Sequence, residues 1–246
     1  MDQEISWLLR DKYEGIESEA FHRDVERLRA GEPLAYVIGW VPFLGTKIWL
    51  DSAPLIPRPE TELWVEQAIS EMRQVLKVEP RVFRVLDLCT GSGCVGVAVA
   101  KHVPETEVHF AEIVDDHHQT IRKNIRENGI DVVRTKQIGG DLFEHVTEKY
   151  DFILTNPPYI DPKLSERIQE SVKAHEPELA LFGGADGMEI IERIIREAPR
   201  HLNPGGVLYI EHEPEQAEKI LALAPQAEIC EDQFGVKRYS RIIFTP

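Results

Sequence analysis

From Phe83 to Phe244 the chain alternates short apolar runs with stretches of helical periodicity, and that alternation constrains its fold more than any other feature. Phe83–Leu88, Glu107–Ile113, Val132–Ile138, Asp151–Thr155, Val207–Glu211, Gln226–Glu231 and Arg241–Phe244 read as strands. Cys94–His102, Asp115–Asn128, a stretch opening at Asp186 and Glu215–Ala224 read as helices between them. Asp115 stands as an N-cap with Gly129 past the far end of its helix; Asp186 with Glu189 marks the next start, and Asn203-Pro204-Gly205-Gly206 its stop. Strands that alternate with helices pack as a mainly parallel sheet covered on both faces. The expected fold is therefore α/β and Rossmann-like, with seven strands.

The first part of the chain is different. Ile5, Leu8 and Leu9 form one small apolar stripe and Phe21, Val25 and Leu28 another, before Gly31 and Pro33 interrupt the pattern. Residues 1–40 are expected to form a short helical cap without an independent core. Residues 41–58 are expected to form a β-hairpin linker, turning near Gly45. The main domain then runs over 59–246, opening with a helix that carries Val65, Ala68, Ile69, Met72 and Leu76 on one face. Pro57 and Pro59 hold Arg58 extended just before it, which aims the guanidinium.

Composition excludes several classes. No run approaches the roughly 18 to 20 apolar residues of a membrane span, and Met1-Asp2-Gln3-Glu4 is acidic where a leader needs positive charge. A cytoplasmic protein without membrane association is expected. The net charge of −15 argues against direct nucleic acid binding, which draws on clustered Lys and Arg. The three cysteines form no C-x-x-C pair, so Cys89 and Cys94 read as small space-fillers around a turn. His117, His118 and His175 lack ligand spacing, and no metal is expected; His117 and His118 read as solvated or capping residues.

Gly91-Ser92-Gly93-Cys94-Val95-Gly96 fits G-x-G-x-x-G between a strand and a helix, with Glu112 about 20 residues further on. That pattern fits a dinucleotide, but Asp87 beside the turn would repel a pyrophosphate and attract a cationic ligand. S-adenosylmethionine carries an ammonium and a sulfonium. Glu112 would accept from ribose hydroxyls in either case, and Asp141, with Leu142 after the third strand, could accept from an adenine amino group. Asn156-Pro157-Pro158-Tyr159 follows the fourth strand as a stiff loop. Its prolines offer carbonyl acceptors and no donors, a setting suited to a planar NH2 group.

Leu86-Asp87-Leu88-Cys89-Thr90-Gly91-Ser92-Gly93 together with Asn156-Pro157-Pro158-Tyr159 resembles a class I S-adenosylmethionine-dependent methyltransferase acting on an NH2 nitrogen. The chain from Gly31 onward resembles, more narrowly, the HemK/PrmC family of protein-(glutamine-N5) methyltransferases of peptide chain release factors. Gly31-Glu32-Pro33-Leu34-Ala35-Tyr36-Val37-Ile38-Gly39, Ile56-Pro57-Arg58-Pro59-Glu60-Thr61-Glu62 and His175-Glu176-Pro177-Glu178-Leu179-Ala180-Leu181-Phe182-Gly183-Gly184 carry that likeness. The resemblance implies a release factor as protein substrate; a monomer is expected. It implies Asn156, Pro157 and Tyr159 as catalytic residues, with Pro158 and Arg58 also at the substrate. It implies Asp87, Cys89, Thr90, Gly91, Ser92, Gly93, Glu112, Asp141, Leu142 and Asn156 around the cofactor. The Asn156 oxygen and the Pro157 carbonyl would accept the two amide hydrogens while Tyr159 packs on the amide plane.

Two departures stand out. The helical stretch ahead of residue 41 is shorter than is usual in that family, and Glu112 stands where Asp is commoner. Glu176 is expected either to brace the Asn-Pro-Pro-Tyr loop or to form a structural ion pair. A ribosomal-protein glutamine methyltransferase has the same chemistry. A DNA adenine-N6 methyltransferase shares the Asn-Pro-Pro-Tyr loop but needs a basic DNA-binding region that this sequence lacks. A non-catalytic nucleotide-binding module would keep the glycine turn and have no use for Asn156.

Overall fold

A computed structural model describes residues 2–244, so Met1 and residues 245–246 of the expected cap and main domain lie outside the described residues. Three helices come first: α1 (Asp2–Tyr13), α2 (Glu19–Arg29) and α3 (Leu34–Ile38). Contrary to expectation they enclose a small cluster of their own, built from Leu8, Phe21, Val25, Leu28 and Val37. What the stripes did not reveal is its polar staple. The buried Asp24 accepts from Lys12 Nζ at 2.7 Å and from the Tyr13 phenol at 2.6 Å, and Arg27 donates to its other oxygen at 2.8 Å. Those hydrogen bonds tie α1 to α2, which compensates for the little apolar area a cap of this size buries.

The hairpin pairs β1 (Trp40–Phe43) with β2 (Thr46–Trp49). Its turn residues Leu44 and Gly45 both have positive φ, 43° and 73°, the geometry that suits two-residue hairpin loops. The hairpin is less a linker than an extra wall of the main domain, since Phe43 and Ile48 are fully buried in its core. Helix α4 (Pro59–Val78) follows, then β3 (Phe83–Leu88), α5 (Cys94–His102), β4 (Thr106–Glu112) and α6 (His117–Glu127). Asn124 of α6 and Asn128 at its C-cap, one turn apart, secure the hairpin edge. Asn124 and Asn128 each accept from and donate to the backbone of β2, at Trp49 and Lys47, over 2.8 to 3.0 Å.

The chain continues through β5 (Thr135–Gly139), β6 (Tyr150–Thr155), two short helices α7 (Glu170–His175) and α8 (Glu178–Leu181), then α9 (Glu189–His201) and β7 (Leu202–Glu211). It ends with α10 (Ala217–Leu223), β8 (Glu228–Glu231) and β9 (Lys237–Ile243). The seven-stranded sheet has the order β5-β4-β3-β6-β7-β9-β8. Its first five strands in that order are parallel, and β9 is antiparallel to both neighbours. Alternation along each strand feeds two cores. Val85, Phe152, Leu154 and Tyr209 face α4, α5 and α6, whereas Leu86, Ile153, Leu208 and Ile210 face α9 and α10.

Several boundaries differ from the sequence reading: Asp115 does not cap α6, whose N-cap is Asp116, Val132–Arg134 forms a 3-10 turn ahead of β5, and β9 starts at Lys237 rather than Arg241. Asp186 does not cap α9: it sits at φ 52° within a 3-10 turn, and Met188 precedes the helix. Asn203-Pro204-Gly205-Gly206 does follow the end of α9 at His201 within two residues, and it turns at Gly205, φ 78°, inside the span of β7. The chain first runs outward over β3, β4 and β5, then returns to place β6 on the other side of β3. Ligand crevices of open α/β sheets form at such a reversal, outside the carboxyl ends of the strands.

Candidate active site

Strand β3 delivers the glycine turn to that crevice. Cys89, Gly91 and Gly93 all have positive φ, which folds the chain back sharply into α5. Asp87 faces α5 and is 1% exposed; its Oδ2 accepts from Thr90 Oγ1 at 2.5 Å and from the Gly96 N–H at 2.8 Å. The third glycine is needed for that approach, since a Cβ on Gly96 would run into the Phe110 ring and lie 3.0 Å from Asp87 Oδ2. Burial pushes the Asp87 carboxyl up to about 7, opposed by its two hydrogen bonds and reinforced by the nearby Glu112. Its Oδ1 receives no hydrogen bond among the described residues.

The segment from 87 to 93 therefore divides. Cys89 and Gly91 reach the wall of a cavity, while Asp87, Thr90, Ser92 and Gly93 lie behind them as its frame. Burial raises both the Cys89 and the Cys94 thiols, which suits inert space-fillers rather than nucleophiles. At the end of β4, Glu112 accepts from the Gly91 N–H at 2.7 Å and from the Val114 N–H at 2.9 Å, so it ties the turn to the next loop. Asp141 and Leu142 arrive after β5 on the same cavity, Asp141 paired with Arg193 at 2.8 Å and Leu142 held at φ 52°.

The roof of the cavity comes from Leu55, Pro177, Leu179 and Ala180, which the sequence reading did not place there. Nor did it foresee His117, which is buried on the same wall rather than solvated, its Nδ1 2.8 Å from Ser52 Oγ.

On the other side of the reversal, β6 ends in Asn156-Pro157-Pro158-Tyr159. A cleft of about 700 Å³ opens here, walled in part by Arg58, Asn156, Tyr159 and Gln216. Pro158 faces the first cavity, whereas Pro157 is buried and lines neither space. Leu55, Asn156 and Ala180 line both spaces, so Asn156 stands at their junction. The loop is held at both ends. Asn156 Nδ2 donates to Thr61 Oγ1 at 3.2 Å, and the Tyr159 phenol donates to Glu211 at 3.0 Å. Gln216 Nε2 donates to the Tyr159 carbonyl at 2.7 Å.

Burial and the adjacent Glu211 push the Tyr159 phenol well above its ordinary range, so it stays a donor. Arg58, aimed by its prolines, meets Glu176 at 2.5 Å, and the other Glu176 oxygen accepts from the Ile56 N–H at 3.1 Å. Of the two expectations for Glu176 the ion pair holds, and it joins the proline segment to the roof. Glu211, Thr61 and Trp64 were missed. The only signal was a second strand-end acid at Glu211, matching Glu112.

The family model described as methyltransferase small domain matches residues 69–176. A release factor glutamine methyltransferase of Streptomyces coelicolor is 35% identical over 196 residues, covering 80% of this chain and 68% of that protein. One from Geobacter sulfurreducens is 36% identical and covers 84% and 70%. A ribosomal protein uL3 glutamine methyltransferase of Bradyrhizobium diazoefficiens is 34% identical, covering 76% of this chain and 59% of that protein. Among solved structures, the human METTL16 catalytic domain superposes with a TM-score of 0.57 at 17% identity, over 78% of this chain and 73% of that one, which bears on the fold alone. With the glycine turn and the Asn-Pro-Pro-Tyr loop facing each other across the sheet reversal, and with relatives of this identity and coverage, the chain belongs to the release factor glutamine methyltransferase (HemK/PrmC) family.

Proposed function

We propose that the protein transfers the methyl group of S-adenosylmethionine to the side-chain amide nitrogen (N5) of the glutamine in the Gly-Gly-Gln motif of a peptide chain release factor, in support of translation termination in the cytoplasm. The observation that carries this reading is the position of Asn156, at the junction of two cavities with its Nδ2 already engaged. The first cavity suits the cofactor: Ile113, Leu142 and Leu179 offer apolar contact to a purine, and Glu112 and Asp141 offer acceptors. The undonated Oδ1 of Asp87, at the back of that cavity wall, fits a cationic group better than a phosphate. Among the described residues no helix is long and apolar enough to cross a membrane.

Bound there, S-adenosylmethionine supplies a methyl group activated by the positive sulfur. The chain supplies the geometry. A glutamine amide nitrogen is a weak nucleophile because its lone pair is delocalised into the carbonyl. Asn156 Oδ1 and the Pro157 carbonyl accept its two hydrogens and favour the pyramidal nitrogen of the transition state. Tyr159, fixed by Glu211, packs against the amide plane, and Arg58 stands on the rim of the same cleft. After transfer the nitrogen is cationic and strongly acidic and gives up one of its hydrogens to solvent, so no strong base is required.

The uL3 enzyme among the relatives keeps a ribosomal protein open as a second substrate. Asn156→Ala tests the site itself. Cofactor affinity should stay within about threefold while methylation falls by about 100-fold or more, the scale of losing an oriented group at a transition state. An Asn156→Ala enzyme that turns over normally would sink the proposed role.

A further inference from the structure

Glu211 closes β7 beside the end of β6, and its carboxylate is 1% exposed. Oε2 accepts from Thr61 Oγ1 and from Trp64 Nε1, each at 2.7 Å and both on α4, while Oε1 accepts from the Tyr159 phenol at 3.0 Å. Burying a carboxylate is costly unless hydrogen bonds replace its water, and here three donors are committed to one group. The strand end alone does not require it.

Counting protons shows what the cluster does. Burial pushes the Glu211 carboxyl up, and the hydrogen bonds from Trp64, Thr61 and Tyr159 oppose that by favouring the ionised form. As a carboxylate it only accepts, the indole N–H only donates, and a hydroxyl has a single hydrogen. Thr61 gives its hydrogen to Glu211, so towards Asn156 it can only accept. An amide that meets an acceptor must present its NH2, as Asn156 Nδ2 does at 3.2 Å. Asn156 Oδ1 is then turned away from Thr61 and receives no hydrogen bond among the described residues. The geometry points to Glu211, acting through Thr61, as the positioning residue that fixes which end of the Asn156 amide meets the substrate. This rests on the reading above that the substrate presents an NH2. A flipped Asn156 would set hydrogens against hydrogens and hold nothing.

The test uses the full chain with Glu211→Ala, Thr61→Val and Thr61→Ser, assayed on a Gly-Gly-Gln release factor. Glu211→Ala removes the acceptor that holds the Thr61 hydrogen, which lets the Thr61 hydroxyl reverse. Thr61→Val removes the hydroxyl at nearly constant volume and serves if Glu211→Ala folds poorly. For Glu211→Ala and Thr61→Val, kcat should fall by about 10- to 100-fold, with cofactor Kd and substrate KM within about twofold of wild type. Thr61→Ser should recover kcat to within about threefold, because it keeps the acceptor.

Wild-type kcat in Thr61→Val overturns the inference. So does a loss of kcat that Thr61→Ser shares, or one accompanied by an equal loss of cofactor affinity, since both mark a merely structural role. A second readout is independent of turnover: the Asn156 side-chain NH2 resonance should keep its hydrogen-bonded shift in Thr61→Ser and lose it in Thr61→Val. A wild-type enzyme that methylates no glutamine would refute the functional reading, while that resonance still decides the orientation of the amide.

Discussion

Replacing Glu176 should loosen the roof of the cofactor cavity in graded steps. Glu176 is almost fully buried and holds two donors on the proline segment, Arg58 at 2.5 Å and the Ile56 N–H at 3.1 Å. A charge-assisted hydrogen bond contributes about 1.5 to 3 kcal/mol. The Arg58 side chain is 33% exposed, so solvent screening puts this pair near the lower end, about 1.5 kcal/mol. The bond from the Ile56 N–H adds about 1 kcal/mol.

Glu176→Gln keeps one acceptor and loses the charge, which should weaken cofactor binding about tenfold if roof closure and binding are linked. Glu176→Ala loses both bonds and strands a buried N–H, for about 100-fold. Arg58→Ala should match Glu176→Gln in size, and the double variant should be no worse than either alone. Calorimetric titration with S-adenosylhomocysteine reads all four. Wild-type affinity in Glu176→Ala, or full additivity of the pair, would refute the latch.

Three other outcomes follow from buried polar groups. Burial lifts the folded Asp87 carboxyl to about 7, so the folded state holds a proton that the unfolded chain releases. The stability this confers is whole below about pH 4 and is lost as pH rises to about 7. Urea midpoints of the ligand-free wild type and Asp87→Asn should therefore diverge across that window and run parallel above it; parallel curves throughout contradict the assignment.

Asn124→Ala removes hydrogen bonds to Trp49 and to the Ser92 carbonyl of the glycine turn, for a loss of about 2 to 3 kcal/mol in urea unfolding and faster hydrogen exchange at Trp49. Asp24→Ala leaves Lys12, Tyr13 and Arg27 without their shared acceptor. Residues of α1 and α2 should then exchange faster while cofactor affinity is unchanged, because the cap has its own cluster.

The strands and their parallel class were legible because alternating side chains must serve two cores, one on each face of the sheet. Cys94–His102 was read to the residue, since a glycine turn starts it and its apolar face is dense. Boundaries failed where tertiary pairing overrode local chemistry. Asp186 with Glu189 looks like a helix start, yet Asp186 sits at φ 52° and its carboxylate pairs with Lys163 and Lys219. The glycine turn, Glu112, Asp141 and Asn156 could be found because each stands at a strand end. The support behind them could not. Trp64 lies 147 residues before Glu211, and no local pattern announces that the two will meet. The same holds for Ile56 and Glu176, 120 residues apart, which join the cofactor roof to the proline segment.

The most direct test of the proposed activity supplies purified enzyme with methyl-labelled S-adenosylmethionine and, in parallel, a release factor carrying Gly-Gly-Gln, its Gln→Ala variant, ribosomal protein uL3 and duplex DNA. Peptide mass spectrometry then locates the label. A single methyl on the side-chain nitrogen of the release factor glutamine, absent from the Gln→Ala variant and from DNA, is the predicted result. Label on DNA, or on uL3 with none on the release factor, would contradict it.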